Sequence, residues 1–132
     1  MMTDKEYELE KKRVKKFLDK WYSCLGLNWY HIEYEWDRNR NPDESSEVMK
    51  TEVSWTYREA TIYIRLPACA NQSDERLEHI IVHEFSHVLT GGFMANMDLS
   101  NDFCNQIMEN ATETVANALI WSREAGINDA KV

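Results

Sequence analysis

Residues 73–92 read Ser-Asp-Glu-Arg-Leu-Glu-His-Ile-Ile-Val-His-Glu-Phe-Ser-His-Val-Leu-Thr-Gly-Gly. Apolar residues recur at three- and four-residue steps through Leu77, Ile81, Val82, Phe85, Val88 and Leu89, the spacing of one side of a helix. Ser73 or Asp74 can cap its start, and the Gly91-Gly92 pair predicts its end.

Upstream, Ala60 to Leu66 alternates strictly, with Ile62, Ile64 and Leu66 on one face and Thr61, Tyr63 and Arg65 on the other. This is the pattern of a half-buried strand. Val48 to Tyr57 and Leu27 to Trp36 carry weaker alternation rich in aromatic and β-branched residues, and predict two further strands. Between them, Asp37 to Glu47 has no apolar residue and one proline, and reads as a long, exposed hairpin loop. The chain opens on an amphipathic helix, with Thr3 and Glu6 in capping-box spacing, Val14, Phe17, Leu18, Trp21, Tyr22 and Leu25 on its apolar side, and Gly26 at its end. A long final helix is predicted over about Asn101 to Glu124, closed by Gly126. The order helix, three strands, helix, helix makes an α+β domain with a small, mainly antiparallel sheet and helices on one face.

A chain of 132 residues, 43% apolar and 29% charged, builds one core and so one domain, residues 1–132. No apolar run is long enough for a membrane span, and the charges scattered through Met1 to Glu10 do not make a signal peptide, so a cytoplasmic protein with no membrane partner is expected. Cys24, Cys69 and Cys104 are far apart and fit neither a disulfide framework nor a zinc knuckle; they read as buried, reduced thiols. The net charge of −8 argues against non-specific nucleic-acid binding. The basic stretch Lys11, Lys12, Arg13, Lys15 and Lys16 reads as a solvated helix face, with docking of an acidic partner or nucleic acid as the alternative.

His83-Glu84-Phe85-Ser86-His87 is where the chemistry lies. On a helix, residues four apart stack one turn above another, so the two imidazoles project side by side and can share one metal ion. At about 100° per residue, His83, Glu84 and His87 share an arc that the apolar residues mostly avoid. Ordinary residue frequencies assemble this pattern by chance in a chain of this length with a probability of about half a per cent. Neutral imidazoles suit Zn²⁺, and the carboxylate between them is placed to accept a proton from water activated by the ion. A catalytic zinc takes a third protein ligand, for which the final helix offers Glu109 and Glu113. Glu113, set among Thr112, Ala116 and Ile120, is favoured, since an acid among small and apolar residues needs a partner that offsets its burial.

The run Glu78-His79-Ile80-Ile81-Val82-His83-Glu84-Phe85-Ser86-His87-Val88-Leu89, followed by Glu113-Thr114-Val115-Ala116-Asn117-Ala118-Leu119, resembles the minimal gluzincin metallopeptidases often encoded by phages. It is also similar to the bacterial repressor-cleaving peptidases, from which it departs at Leu119-Ile120-Trp121-Ser122. The resemblance spans roughly Trp29 to Leu119 and implies a minimal zincin-like domain. It implies zinc held by His83, His87 and Glu113, Glu84 as general base, a peptide or protein substrate, and a host-cell cytoplasmic location if phage-encoded. By the same analogy the substrate lies along an exposed edge at Ala60 to Leu66. A metal-binding regulatory or interaction protein that keeps the ligands without turnover is the alternative.

His79, one turn before His83, reads first as a partly exposed helix histidine and second as an outer or alternative ligand. His31 reads as a sheet residue, and Tyr57 or Tyr63 is a candidate donor to a developing oxyanion.

Overall fold

The computed structural model describes residues 2–39, 47–94 and 100–130, without the side chains of 92–94 and 127–130. Helix α1, Asp4–Cys24, starts where the Thr3 side chain accepts from the Glu6 backbone N–H. Gly26, in the left-handed region at φ 64°, turns the chain out of it, and a single 3-10 turn at Leu27–Trp29 takes the place of the first residues of the predicted strand. Strand β1 is His31–Asp37, β2 is Met49–Ser54 followed by a 3-10 turn at Trp55–Tyr57, and β3 is Glu59–Arg65. A short helix α2, Leu66–Ala70, carries Pro67 in its first turn, then α3 spans Asp74–Met94 and α4 Asp102–Ala130.

The architecture is α+β, and its sheet is mixed, in the order β1-β3-β2. β3 pairs antiparallel with β2 and parallel with β1, Tyr34 facing Ile62 and Thr51 facing Ile62 from the other side. Two expectations change with this order. The connection between β1 and β2 cannot be a hairpin, because β3 lies between them; its residues 40–46 fall outside the described part of the chain. Nor is the strand at Ala60 to Leu66 an exposed edge: it is the centre of the sheet, and β2 is the edge next to α3.

Ala60, Ile62 and Ile64 turn inward from β3 and join Val14, Leu18 and Trp21 of α1 and Leu77, Ile81, Val82, Phe85 and Val88 of α3 in one buried cluster. Leu89, expected on that apolar side, is 37% exposed. Arg13 ties α1 to the turn before α3, its guanidinium donating to the carbonyls of Cys69 and Gln72 and to Glu10 and Asp74. Lys11 lies over the rings of Tyr7 and Trp36, so part of the basic stretch is spent inside the molecule. Cys69 is buried as expected, whereas Cys24 is exposed; all three thiols are free.

Helix α3 runs past Gly91-Gly92, and α4 past Gly126, where the glycines predicted ends. A helical glycine costs about 1 kcal/mol. Burying each of the five α3 side chains just named contributes roughly 1.5–3 kcal/mol, so packing outweighs the local preference. Gly91 serves a different purpose: a Cβ there would lie 3.0 Å from Val53 Cγ1 on β2, so its missing side chain lets the helix approach the edge strand. Gly91→Ala is therefore expected to destabilise the fold by about 1 kcal/mol, crowding against a stiff β-branched neighbour exceeding the gain in helix preference. Urea unfolding checks this; a more stable variant would show that β2 gives way freely.

Candidate metal centre

Helix α3 is packed between β2 and α4 and divides its polar arc between them. Met108, Thr112 and Ala116, one turn apart, are the buried stripe of α4, and the small side chains of Thr112 and Ala116 allow close approach to α3. Glu109 and Glu113 follow Met108 and Thr112 on the same flank. They thereby face His79, His83 and His87, which are stacked at four-residue steps on α3.

The five side chains interleave across the interface. His79 Nε2 is 2.5 Å from Glu113 Oε1, and Glu113 Oε2 is 2.5 Å from His83 Nδ1. On its other side His83 Nε2 is 3.2 Å from Glu109 Oε2, and Glu109 Oε1 is 3.6 Å from His87 Nε2. One ligand atom from each of His83, His87 and Glu109 falls within 4.8 Å of the others, the spacing of groups able to share an ion. The two imidazoles meet edge to face with centroids 4.9 Å apart. His83 and His87 thus stand together as the pentapeptide predicts. The carboxylate that joins both is Glu109, while Glu113, the expected third ligand, is taken up between His79 and His83.

Glu84, beside His83 on the side of α3 that meets β2, is 5% exposed. The Thr51 hydroxyl donates to its Oε1 at 3.2 Å. Burial pushes the Glu84 carboxyl up to about 8; the Thr51 hydrogen bond opposes the rise, and the charges of Glu109 and Glu47 add to it. His87 is held below the usual imidazole range by burial, reinforced by His83 and opposed by Glu109. Partial burial works to raise Glu113, but hydrogen bonds and charge from His79 and His83 outweigh it and hold the carboxyl below its usual range.

Two neighbours of the site, Thr51 and Thr112, went unrecognised in the sequence. His79 is a partly exposed helix histidine as first read, its side chain 24% exposed, and it is also engaged with Glu113. Thr51 is found only once β2 is known to be the strand beside α3. Thr112, whose hydroxyl is 3.5 Å from His87 Nδ1, lies on the buried stripe of α4. Tyr63 is excluded as an oxyanion donor: it points from the outer face of the sheet, where its hydroxyl donates to Glu52. Tyr57 is exposed in the turn after β2, and His31 is an exposed sheet residue beside Glu33, as expected. A groove on the outer sheet face, lined by Glu35, Asp37, Glu52, Tyr63 and Arg65, includes none of the five interleaved residues. The convergence of donor atoms is the better guide to chemistry there, because a shallow groove of mixed charges needs no ligand to explain it.

Compared with protein-family models, curated proteins and solved structures, the chain matches none. Among the described residues no helix is long and apolar enough to cross a membrane.

Proposed function

We propose that the chain is a zinc-dependent peptidase, with His83, His87 and a carboxylate of α4 as ligands and Glu84 as general base. The observation that carries this reading is the convergence of His83, His87 and Glu109 within 4.8 Å, with a buried, non-ligating carboxylate on the adjoining residue. Two imidazoles and a carboxylate match the donor set of a catalytic zinc, which keeps one position open; a structural zinc takes four protein ligands and has no use for a base. When bound, zinc supplies a Lewis acid that withdraws charge from a carbonyl oxygen and makes water more acidic.

The remaining work falls to the chain. Glu109 is the third ligand in this arrangement, in place of Glu113. Thr51 steadies one Glu84 oxygen, leaving the other to accept a proton from the attacking water and return it to the departing amine. Burial raises the Glu84 carboxyl, and a divalent cation at the neighbouring imidazoles acts in the opposite direction. A substrate peptide adds as a strand to the edge of β2 that no strand among the described residues occupies, which places its backbone alongside α3. The resemblance of the pentapeptide to that of minimal gluzincins supports the zinc reading, while the resemblance of the α4 run favours Glu113 over Glu109 as the third ligand.

Incubation with a diverse peptide library, with and without a chelator, tests it by mass spectrometry. Chelator-sensitive cleavage is expected. Zinc uptake without any cleavage would favour the metal-binding regulatory protein instead. Zinc at a hundredfold over its Kd is also expected to stabilise the fold by about 2.7 kcal/mol, raising Tm by about 10 °C. The apo chain keeps its helices, because the buried cluster contains none of the proposed ligands; loss of most helical circular dichroism on chelation would mean a structural metal.

A further inference from the structure

We infer that His79, four residues before the pentapeptide, is a positioning residue of the metal centre, acting through Glu113 on His83. The inference rests on the zinc reading above. Glu113 has one oxygen on each histidine, Oε1 at 2.5 Å from His79 and Oε2 at 2.5 Å from His83 Nδ1. A carboxylate engaged at both oxygens by side chains from another helix is fixed in rotation as well as in place. As an ionised carboxylate it only accepts, so His79 donates from Nε2 and His83 donates from Nδ1. His83 is thereby held in the tautomer whose Nε2 lone pair faces Glu109 and His87, the nitrogen a metal ion needs.

His79 also decides between the two carboxylates. For Glu113 to serve as ligand through Oε2 it must leave His83 Nδ1, on a side chain only 20% exposed. Glu109 already lies between His83 Nε2 and His87 Nε2, the two nitrogens an ion would take. Without His79, the 41% exposed Glu113 side chain is free to swing, and His83 loses its fixed orientation.

The test measures zinc affinity by competition with a chromophoric chelator, together with the His83 tautomer by ¹⁵N NMR of the zinc-free protein and the apo Tm. Removing an outer partner of a ligating histidine typically weakens metal binding about 10–100-fold. His79→Ala and Glu113→Ala are expected in that range, with His79 at its lower end, an unchanged apo Tm and a mixed His83 tautomer. His79→Gln, which retains an N–H donor, should recover most of the affinity. Wild-type affinity in His79→Ala overturns the inference, as does a fall in apo Tm that accounts for the lost affinity. If Glu113→Ala is as damaging as His87→Ala while Glu109→Ala is mild, Glu113 is a ligand, and the inference fails with the zinc reading intact. A wild type that takes up no zinc removes both.

Discussion

Glu84→Gln is expected to lower peptide cleavage by about 10⁴-fold or more while zinc content and fold stay as they are. The substitution keeps the size of the side chain and a carbonyl oxygen able to accept from Thr51, which donates to Glu84 Oε1 at 3.2 Å. What it removes is basicity. General-base contributions lie typically at about 10²–10⁴-fold, and the upper end applies because Glu84 is the one buried carboxylate among the described residues. Rates of the two proteins on one cleaved library peptide, with zinc measured in each preparation, check this. Equal rates would take Glu84 out of the mechanism and point to a contaminating protease.

The second large effect concerns the ligands. His83→Ala, His87→Ala and Glu109→Ala are each expected to weaken zinc binding by about a hundredfold or more. Zinc in four-ligand peptides is bound by about 10–16 kcal/mol, roughly 3 kcal/mol per ligand, and a three-ligand site has no spare donor. Glu113→Ala should cost less, because Glu113 touches His83 only at Nδ1. This departs from the ligand set expected at first, in which Glu113 was the third ligand. Competition titrations of the four variants decide between the carboxylates: a severe loss in Glu113→Ala with a mild one in Glu109→Ala would restore the original assignment.

Helices and the central strand were legible in the sequence because their signals are local. Thr3, with Glu6 three residues on, marked the start of α1, and the alternation from Ala60 to Ile64 marked the inward face of β3. Strand order was not legible. The polar stretch between β1 and β2 looks like a hairpin loop whichever strands it joins, and the choice of β3 as the middle strand is made by burial of Ile62 and Ile64 on both sides of the pairing. With the order went the edge, and with the edge Thr51. The glycines misled for a related reason, since Gly91 is placed by its contact with Val53 and not by a turn.

At the site, His83, Glu84 and His87 could be read from helical spacing alone, which is intrinsic to one element. The choice between Glu109 and Glu113 depends on how α4 is offset along α3, a matter of where Thr112 and Ala116 let the helices meet. His79 was undervalued because a histidine on a helix surface has no meaning until the acid opposite it is known.

The central claim is that α3 and α4 together hold one metal ion. Metal analysis of untagged protein purified without added zinc, followed by titration with Zn²⁺, tests it most directly. Close to one equivalent per chain is predicted for the wild type and for Glu84→Gln, and little or none for a His83→Ala, His87→Ala double variant. A wild type that binds no zinc, or a double variant that binds it as well as the wild type, would contradict the account.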